Sequence, residues 1–222
     1  MIPAHPSATT VLLRPGFGEI EVLLLERSAG IEFHGGDWVF PGGRVDDEDV
    51  RPSEDPFAEA PARRAAVRET LEETGLRVAE EELVPIAHWT TPVDFPKRFS
   101  TFFFAARAPA GLAMADGVEA VSLRYFSPRA ALEAHARGEI GLPPPTYVTL
   151  AELRSFRTVD EALEMLSSRA IPFILPRPVR VDGGTVSLYP GDAAYETLEL
   201  ERPGPRFRLV MCGRPYELVR DL

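Results

Sequence analysis

The chain has no asparagine and no glutamine, and only one lysine (Lys97) and one cysteine (Cys212) among its 222 residues. A single cysteine excludes an intrachain disulfide and fits a reducing compartment. In its strand-like run, Cys212 reads as a small apolar core residue. No apolar stretch approaches the length of a membrane-spanning helix, and the N-terminus lacks the basic and apolar segments of a secretory signal. The final Arg220-Asp221-Leu222 is not the Ser-Lys-Leu peroxisomal address. A cytoplasmic, soluble protein with no membrane partner is expected. Basic charge is scarce: the net charge is −10 and no basic stripe occurs, which argues against nucleic acid as a partner. Bound cations and a few local arginines would have to receive any anionic ligand. Histidine and cysteine form no zinc-type cluster. Missing amides fit a heat-exposed chain, and arginine in place of lysine fits codon bias.

What is present concentrates in Ala65-Ala66-Val67-Arg68-Glu69-Thr70-Leu71-Glu72-Glu73-Thr74-Gly75-Leu76, with Phe40-Pro41-Gly42-Gly43 upstream. Glu69, Glu72 and Glu73 stand at i, i+3 and i+4, so a helix gathers them on one face within a turn. Like charges so placed repel by roughly 0.2–0.5 kcal/mol per pair. A solvated acidic face is one reading; a hard divalent cation held by oxygen ligands is the other.

Along the chain, Thr9–Leu13 and Ile20–Glu26 read as a hairpin turning at Pro15-Gly16-Phe17-Gly18. The strand Trp38-Val39-Phe40 ends in the tight turn Pro41-Gly42-Gly43. An acidic surface loop over Asp46–Ala60 precedes a helix over Pro61–Thr74, with Pro61 at its first turn and Gly75 just past its last. Strands follow at Leu83–Trp89, Phe99–Arg107 and Val118–Phe126. Ser127-Pro128 caps a helix that Gly138 ends. Leu150, Leu153 and Phe156 mark a helix after Pro143-Pro144-Pro145, and Thr158-Val159-Asp160-Glu161 opens another, through Ser167. Short strands then predominate: Val179–Val181, Thr185–Leu188, Glu196–Leu200 and Phe207–Cys212. Interleaved strands and helices imply an α/β protein.

Arg-Glu-x-x-Glu-Glu-x-Gly after Pro-Gly-Gly resembles the signature of the Nudix hydrolases, G-x5-E-x7-R-E-U-x-E-E-x-G-U with U a bulky aliphatic. Arg68 to Leu76 match it, except that Thr70 takes the first aliphatic position. The interval from Gly43 to Arg68 is 11 residues longer than the pattern's. Counted back from Arg68, the pattern's first glutamate falls on Ala60; Glu59, Glu54 or no residue takes its place, and the role is left unassigned. The long loop, with Trp89-Thr90-Thr91-Pro92, Pro96 to Phe104, Tyr125-Phe126-Ser127-Pro128 and Leu142 to Thr146, resembles the subgroup related to the peroxisomal coenzyme A diphosphatases. That subgroup usually has Asp where Ser100 stands and often Trp where Tyr125 stands.

The resemblance implies a Nudix-type α/β/α sandwich on a mixed sheet over residues 1–170, and leaves 171–222 as a β-rich C-terminal extension. It implies water attack on the diphosphate of a nucleoside diphosphate derivative, with Mg²⁺ or Mn²⁺ as cofactor. Coenzyme A or an acyl derivative is one substrate reading and ADP-ribose or another dinucleotide the alternative. By resemblance Glu69, Glu72, Glu73 and the Gly43 carbonyl are metal ligands, and Arg68 braces a neighbouring glutamate such as Glu72. Glu119 is the first candidate general base and Glu69 the second. Lys97 and Arg98 are candidate phosphate contacts and Phe99 a stacking partner; Phe103 reads as core, Trp38 and Trp89 as core or groove lining. His34 and His88 receive no role. A nucleotide sensor on the same fold has no need of three repelling carboxylates. An isoprenoid diphosphate isomerase needs a reactive cysteine, and Cys212 lies far from the box. The extension reads as a dimer surface or a lid. A homodimer is expected; light scattering that finds a monomer at micromolar concentration would exclude it.

Overall fold

The computed structural model describes residues 2–28, 30, 35–115, 117 and 120–221. Two long antiparallel strands, β1 (His5–Pro15) and β2 (Ile20–Arg27), form the expected hairpin. The short β3 (Trp38–Val39) and β4 (Gly42–Arg44) follow. Gly42-Gly43 is therefore not merely a turn: it pairs with β1, Ala8 opposite Gly43. Next come helix α1 (Glu59–Thr74) and strands β5 (Val84–Thr90), β6 (Phe99–Arg107) and β7 (Ala120–Phe126). Helices α2 (Pro128–Ala136), α3 (Pro144–Leu153) and α4 (Val159–Ser167) lead to the two-residue β8 (Phe173–Ile174). Four more strands complete the chain: β9 (Arg177–Val181), β10 (Gly184–Leu188), β11 (Arg206–Met211) and β12 (Glu217–Asp221).

Among the described residues the first sheet runs β3-β2-β1-β6-β5-β8, with β4 paired to β1 and β7 to β2. β1 and β6 are parallel over His5↔Phe99 to Leu13↔Arg107, and β5 and β8 are parallel; the other pairs are antiparallel, which makes the sheet mixed. Side chains alternate along each strand. Ala8 and Leu12 of β1, with Phe104 and Ala106 of β6, pack beneath α1; Val11, Leu13, Phe103 and Ala105 face the opposite layer with α2 to α4. This is the α/β/α sandwich, and no helix among the described residues is long and apolar enough to cross a membrane.

The second sheet, β12-β11-β10-β9, is antiparallel. Its register sets Thr185 opposite Met211 and Ser187 opposite both Leu209 and Pro178, so these side chains share one face. That face packs on the first sheet's core through Phe207, Leu209 and Tyr189, whose ring meets Trp89 edge-on at 5.4 Å. Val186, Leu188 and Val210 form the other face.

Glu196–Leu200, expected as a strand, is instead a series of turns that lays Tyr195 and Leu200 over this second face. Leu198 sits at φ 63°, which interrupts any strand. Asp192 anchors the segment: its buried carboxylate accepts from Arg208 Nε at 2.7 Å and Nη2 at 2.6 Å, and from the Ala194 and Phe207 amides. Cys212, expected in the core, is exposed where the chain turns after β11. β8 and β12 carry no turn-bounded alternating run of their own and were not expected.

Helix α1 begins at Glu59, two residues before Pro61, and ends where Gly75 takes φ 71° and donates its amide to Leu71. Its buried stripe runs Ala62, Ala65, Ala66, Thr70, Glu73 and Thr74. Alanines let the helix lie close on β1, where the Thr10 hydroxyl donates to the Ala66 carbonyl at 3.3 Å. The Thr70 hydroxyl is buried with no hydrogen-bond partner among the described residues. An unsatisfied buried hydroxyl costs about 1–3 kcal/mol. Thr70→Val is therefore expected to raise the unfolding free energy by about 1 kcal/mol, read by urea denaturation; a loss of stability would contradict this.

Candidate active site

The stripe that buries alanines in the first half of α1 continues into glutamates in the second, and that continuity brings carboxylates down onto β4. Glu73 is 3% exposed and its Oε2 accepts from the Gly42 amide at 2.8 Å. The Glu69 carboxylate lies directly over Gly43, where a Cβ would stand 2.2 Å from Oε1. At Gly42 a Cβ would stand 2.3 Å from the Ala8 carbonyl oxygen, so β1 excludes a side chain there too. Gly42 thus admits only bare backbone, and a side chain at Gly43 would push the Glu69 carboxylate off the cradle the two glycines form. Glu72, one turn beyond Arg68, points outward with 56% of its side chain exposed.

Arg68 lies among five carboxylates. Its guanidinium donates to Asp49 Oδ2 at 2.8 Å, Glu69 Oε1 at 2.9 Å, Glu72 Oε2 at 3.1 Å and the Arg44 carbonyl at 2.9 Å, with Asp46 and Glu48 within 3.6 Å. Burial alone would lower its pKa; the bonds and charges of Asp49 and Glu69 outweigh that and hold it above the usual arginine range. The expected brace to Glu72 is present, but it is one strand of a wider grip.

Asp49 is the residue that counting back from Arg68 misses. It stands six residues after Gly43, where the family pattern has its first acid, and is 3% exposed in a short 3₁₀ turn, Asp47–Asp49. The added loop length falls between Asp49 and Arg68. Of the two proposed substitutes, Glu54 pairs with Arg64 and Glu59 with Arg63, so neither reaches Arg68 in this way. Counting forward from the glycines would have found Asp49. If the carboxylates that Arg68 holds bind a divalent cation, Asp49→Asn is expected to weaken the apparent Mg²⁺ affinity in activity assays by about 10–100-fold, the usual effect of a group that orients a ligand. Activity titrated against Mg²⁺ checks this; an unchanged titration would contradict it.

A cavity of about 860 Å³ opens beside the cradle. Gly43 and Glu69 line it, as do Lys97 and Phe99. Arg27 and Arg44, which sequence reasoning did not single out, add two further cations to its wall. Arg98 does not line it. The Arg98 guanidinium is buried and donates to the Thr91, Pro92 and Ile2 carbonyls, which makes it a brace for the β5–β6 loop rather than a phosphate contact. Phe103 and Trp89 are core residues whose edges reach the cavity. Glu119 and His34 lie outside the described residues. His88 bonds the Ser100 hydroxyl at 2.7 Å and stacks on Phe102, and burial lowers its pKa.

Among the described residues no three acidic, histidine or cysteine side chains are gathered as a ready metal-ligand set. Arg68 draws Glu69 and Glu72 towards itself, and the Gly42 amide holds Glu73. The donor set is nonetheless all oxygen, and the carboxylates exceed the single arginine among them. Hard divalent cations such as Mg²⁺ fit this chemistry and softer ones do not.

Residues 3–148 match the NUDIX domain, and the chain belongs to the Nudix family. It is 30% identical over 161 residues to the acyl-coenzyme A diphosphatase of Xenopus laevis, covering 60% of this chain and 42% of that one. With the human acyl-coenzyme A diphosphatase it shares 32% identity over 114 residues, covering 48% of this chain and 30% of that one. The chain thus spans less than half the length of these two relatives. Its fold is similar to a NUDIX hydrolase from Alicyclobacillus acidocaldarius, with a TM-score of 0.66 and 24% identity over 77% of this chain and all of that one.

Proposed function

We propose that this chain is a divalent-cation-dependent hydrolase that cleaves the diphosphate linkage of a nucleoside diphosphate derivative, with coenzyme A or an acyl-coenzyme A as that derivative. One observation carries the reading: Glu69 lies over Gly43 on the wall of a cavity large enough for a nucleotide derivative. Family membership and the likeness to acyl-coenzyme A diphosphatases support the reaction and the substrate class. Glu69, Glu72 and Glu73 would hold the cation, Mg²⁺ or Mn²⁺, with the Gly43 carbonyl as a further ligand. When bound, such a cation offsets the diphosphate's charge and acidifies water beside it.

The chain's own residues do the rest. Arg68, fixed by Asp49, sets the carboxylates of Glu69 and Glu72, and the Gly42 amide sets Glu73. Arg27, Arg44 and Lys97 offer positive charge to phosphate oxygens along the wall. Glu119 and Glu69 are the candidates to accept the attacking water's proton. The test is a hydrolysis screen with Mg²⁺ and Mn²⁺ against coenzyme A, acetyl-coenzyme A, ADP-ribose, NADH and nucleoside triphosphates. Metal-dependent cleavage strongest for the coenzyme A compounds is expected. Tight binding without cleavage of any member would replace the hydrolase with a sensor.

A further inference from the structure

The second sheet lies beyond the family's matched residues, yet it forms part of the cavity. Pro176, Pro178, Thr185, Ser187 and Met211 line the same space as Gly43 and Glu69. The strand register explains how. Thr185 and Met211 are directly opposed on β10 and β11, and Ser187 faces Pro178 across β9, so one face of the sheet presents them together. That face is fixed in place by Phe207, Leu209 and Tyr189 packed in the main core, and by the Tyr147 hydroxyl, which donates to the Tyr216 carbonyl at 2.5 Å.

The chemistry of the wall changes along its length. Its cations and carboxylates, Arg27, Arg44, Asp46, Glu69 and Lys97, all come from the first 97 residues. Every lining residue from position 143 onward is proline, threonine, serine or methionine, and none is charged. Proline offers neither a backbone N–H nor a polar side chain. Arg180, opposite Thr185, is exposed and does not line the cavity. Such a wall desolvates no charge when an apolar group covers it, only a few hydroxyls, and offers no counter-charge to a further phosphate.

We propose that the second sheet and the start of α3 (Pro143–Thr146) form the subsite for the group on the far side of the diphosphate, and that this group is uncharged and largely apolar. The inference rests on the hydrolase reading for the position of the diphosphate. Thr185, Ser187 and Met211 are then specificity-determining residues, and the extension is a wall of the active site.

The experiment uses the full chain and ADP esters whose terminal phosphate carries a methyl, butyl or octyl group. Hydrolysis of these esters is measured with Mg²⁺, and binding of their methylene-bridged, uncleavable analogues by calorimetry. Three added methylenes buried on the wall are expected to favour butyl over methyl by about tenfold or more. In Met211→Glu that preference collapses towards unity, and in Thr185→Glu, a second variant on the same face, it does likewise. A wild-type enzyme that hydrolyses all three esters with no chain-length preference would overturn the subsite and leave the hydrolase. A preference that survives both substitutions would also overturn it, since the chain would lie elsewhere. Chain-length-dependent binding without hydrolysis would remove the hydrolase and keep the subsite.

Discussion

Glu73→Gln is expected to lower metal-dependent turnover by at least about 100-fold, with the melting midpoint little changed. The two halves of that result have separate causes. Glutamine is nearly isosteric and keeps a carbonyl oxygen for the Gly42 amide, which Glu73 now receives at 2.8 Å, so the contact between α1 and β4 persists. The negative charge is lost, and with it, on the proposed reading, a hard anionic ligand. Groups that merely orient a ligand are worth 10–100-fold, and a ligand itself should be worth no less. Glu54→Gln is the matched control, because Glu54, in the loop, pairs with Arg64 of α1 and not with the cradle. Raising the Mg²⁺ concentration should recover part of the Glu73→Gln rate and none of the control's small change. Wild-type turnover by Glu73→Gln at limiting Mg²⁺ would remove Glu73 from the ligand set.

Asp192→Asn is expected to cost about 3–5 kcal/mol of stability, the usual penalty when one member of a buried ion pair is removed. The Asp192 carboxylate is fully buried and accepts four hydrogen bonds, two from Arg208 and one each from the Ala194 and Phe207 amides. Asparagine keeps one acceptor oxygen and leaves the guanidinium uncompensated. For a chain of this size the melting midpoint should fall by roughly 10 °C. Burial alone would raise the carboxyl pKa, but the bonds from Arg208 and the two amides outweigh it and hold the folded value below the ordinary one. The stabilisation is therefore complete above the unfolded value of about 4 and is lost as pH falls through the folded value. Urea unfolding of both proteins should show a wide gap at neutral pH that narrows in acid. A gap independent of pH would mean that shape, not charge, holds the segment.

Much of this arrangement is legible in the residues. The carboxylate spacing on α1, its end at Gly75, and the strand Phe99–Arg107 all follow from local periodicity and turn chemistry, which operate within a few residues. The Ser127 and Thr158 hydroxyls cap their helices as their sequence contexts imply. What escaped depends on distant neighbours. Glu196–Leu200 has a β-like composition, yet it covers a sheet instead of joining one because Asp192 and Arg208 fix its start. Arg98 looks like a phosphate contact beside Lys97 until three carbonyls from two separate segments converge on it. Asp49 is hidden twice, once by being an aspartate where a glutamate is sought and once by the loop that follows it.

That loop has a consequence for how such proteins are found. Arg64 grips the Asp49 carbonyl at 2.6 Å and also pairs with Glu54, so the inserted residues leave from a fixed point and the Arg68–Asp49 pair is independent of their number. Doubling the length of a flexible loop costs only about 0.6 kcal/mol of closure entropy. Chain length there is nearly free to drift while the chemistry stays fixed. A search that demands constant spacing across the interval discards such chains; one that anchors the glycine pair and the helix separately, and lets the gap float, retrieves them.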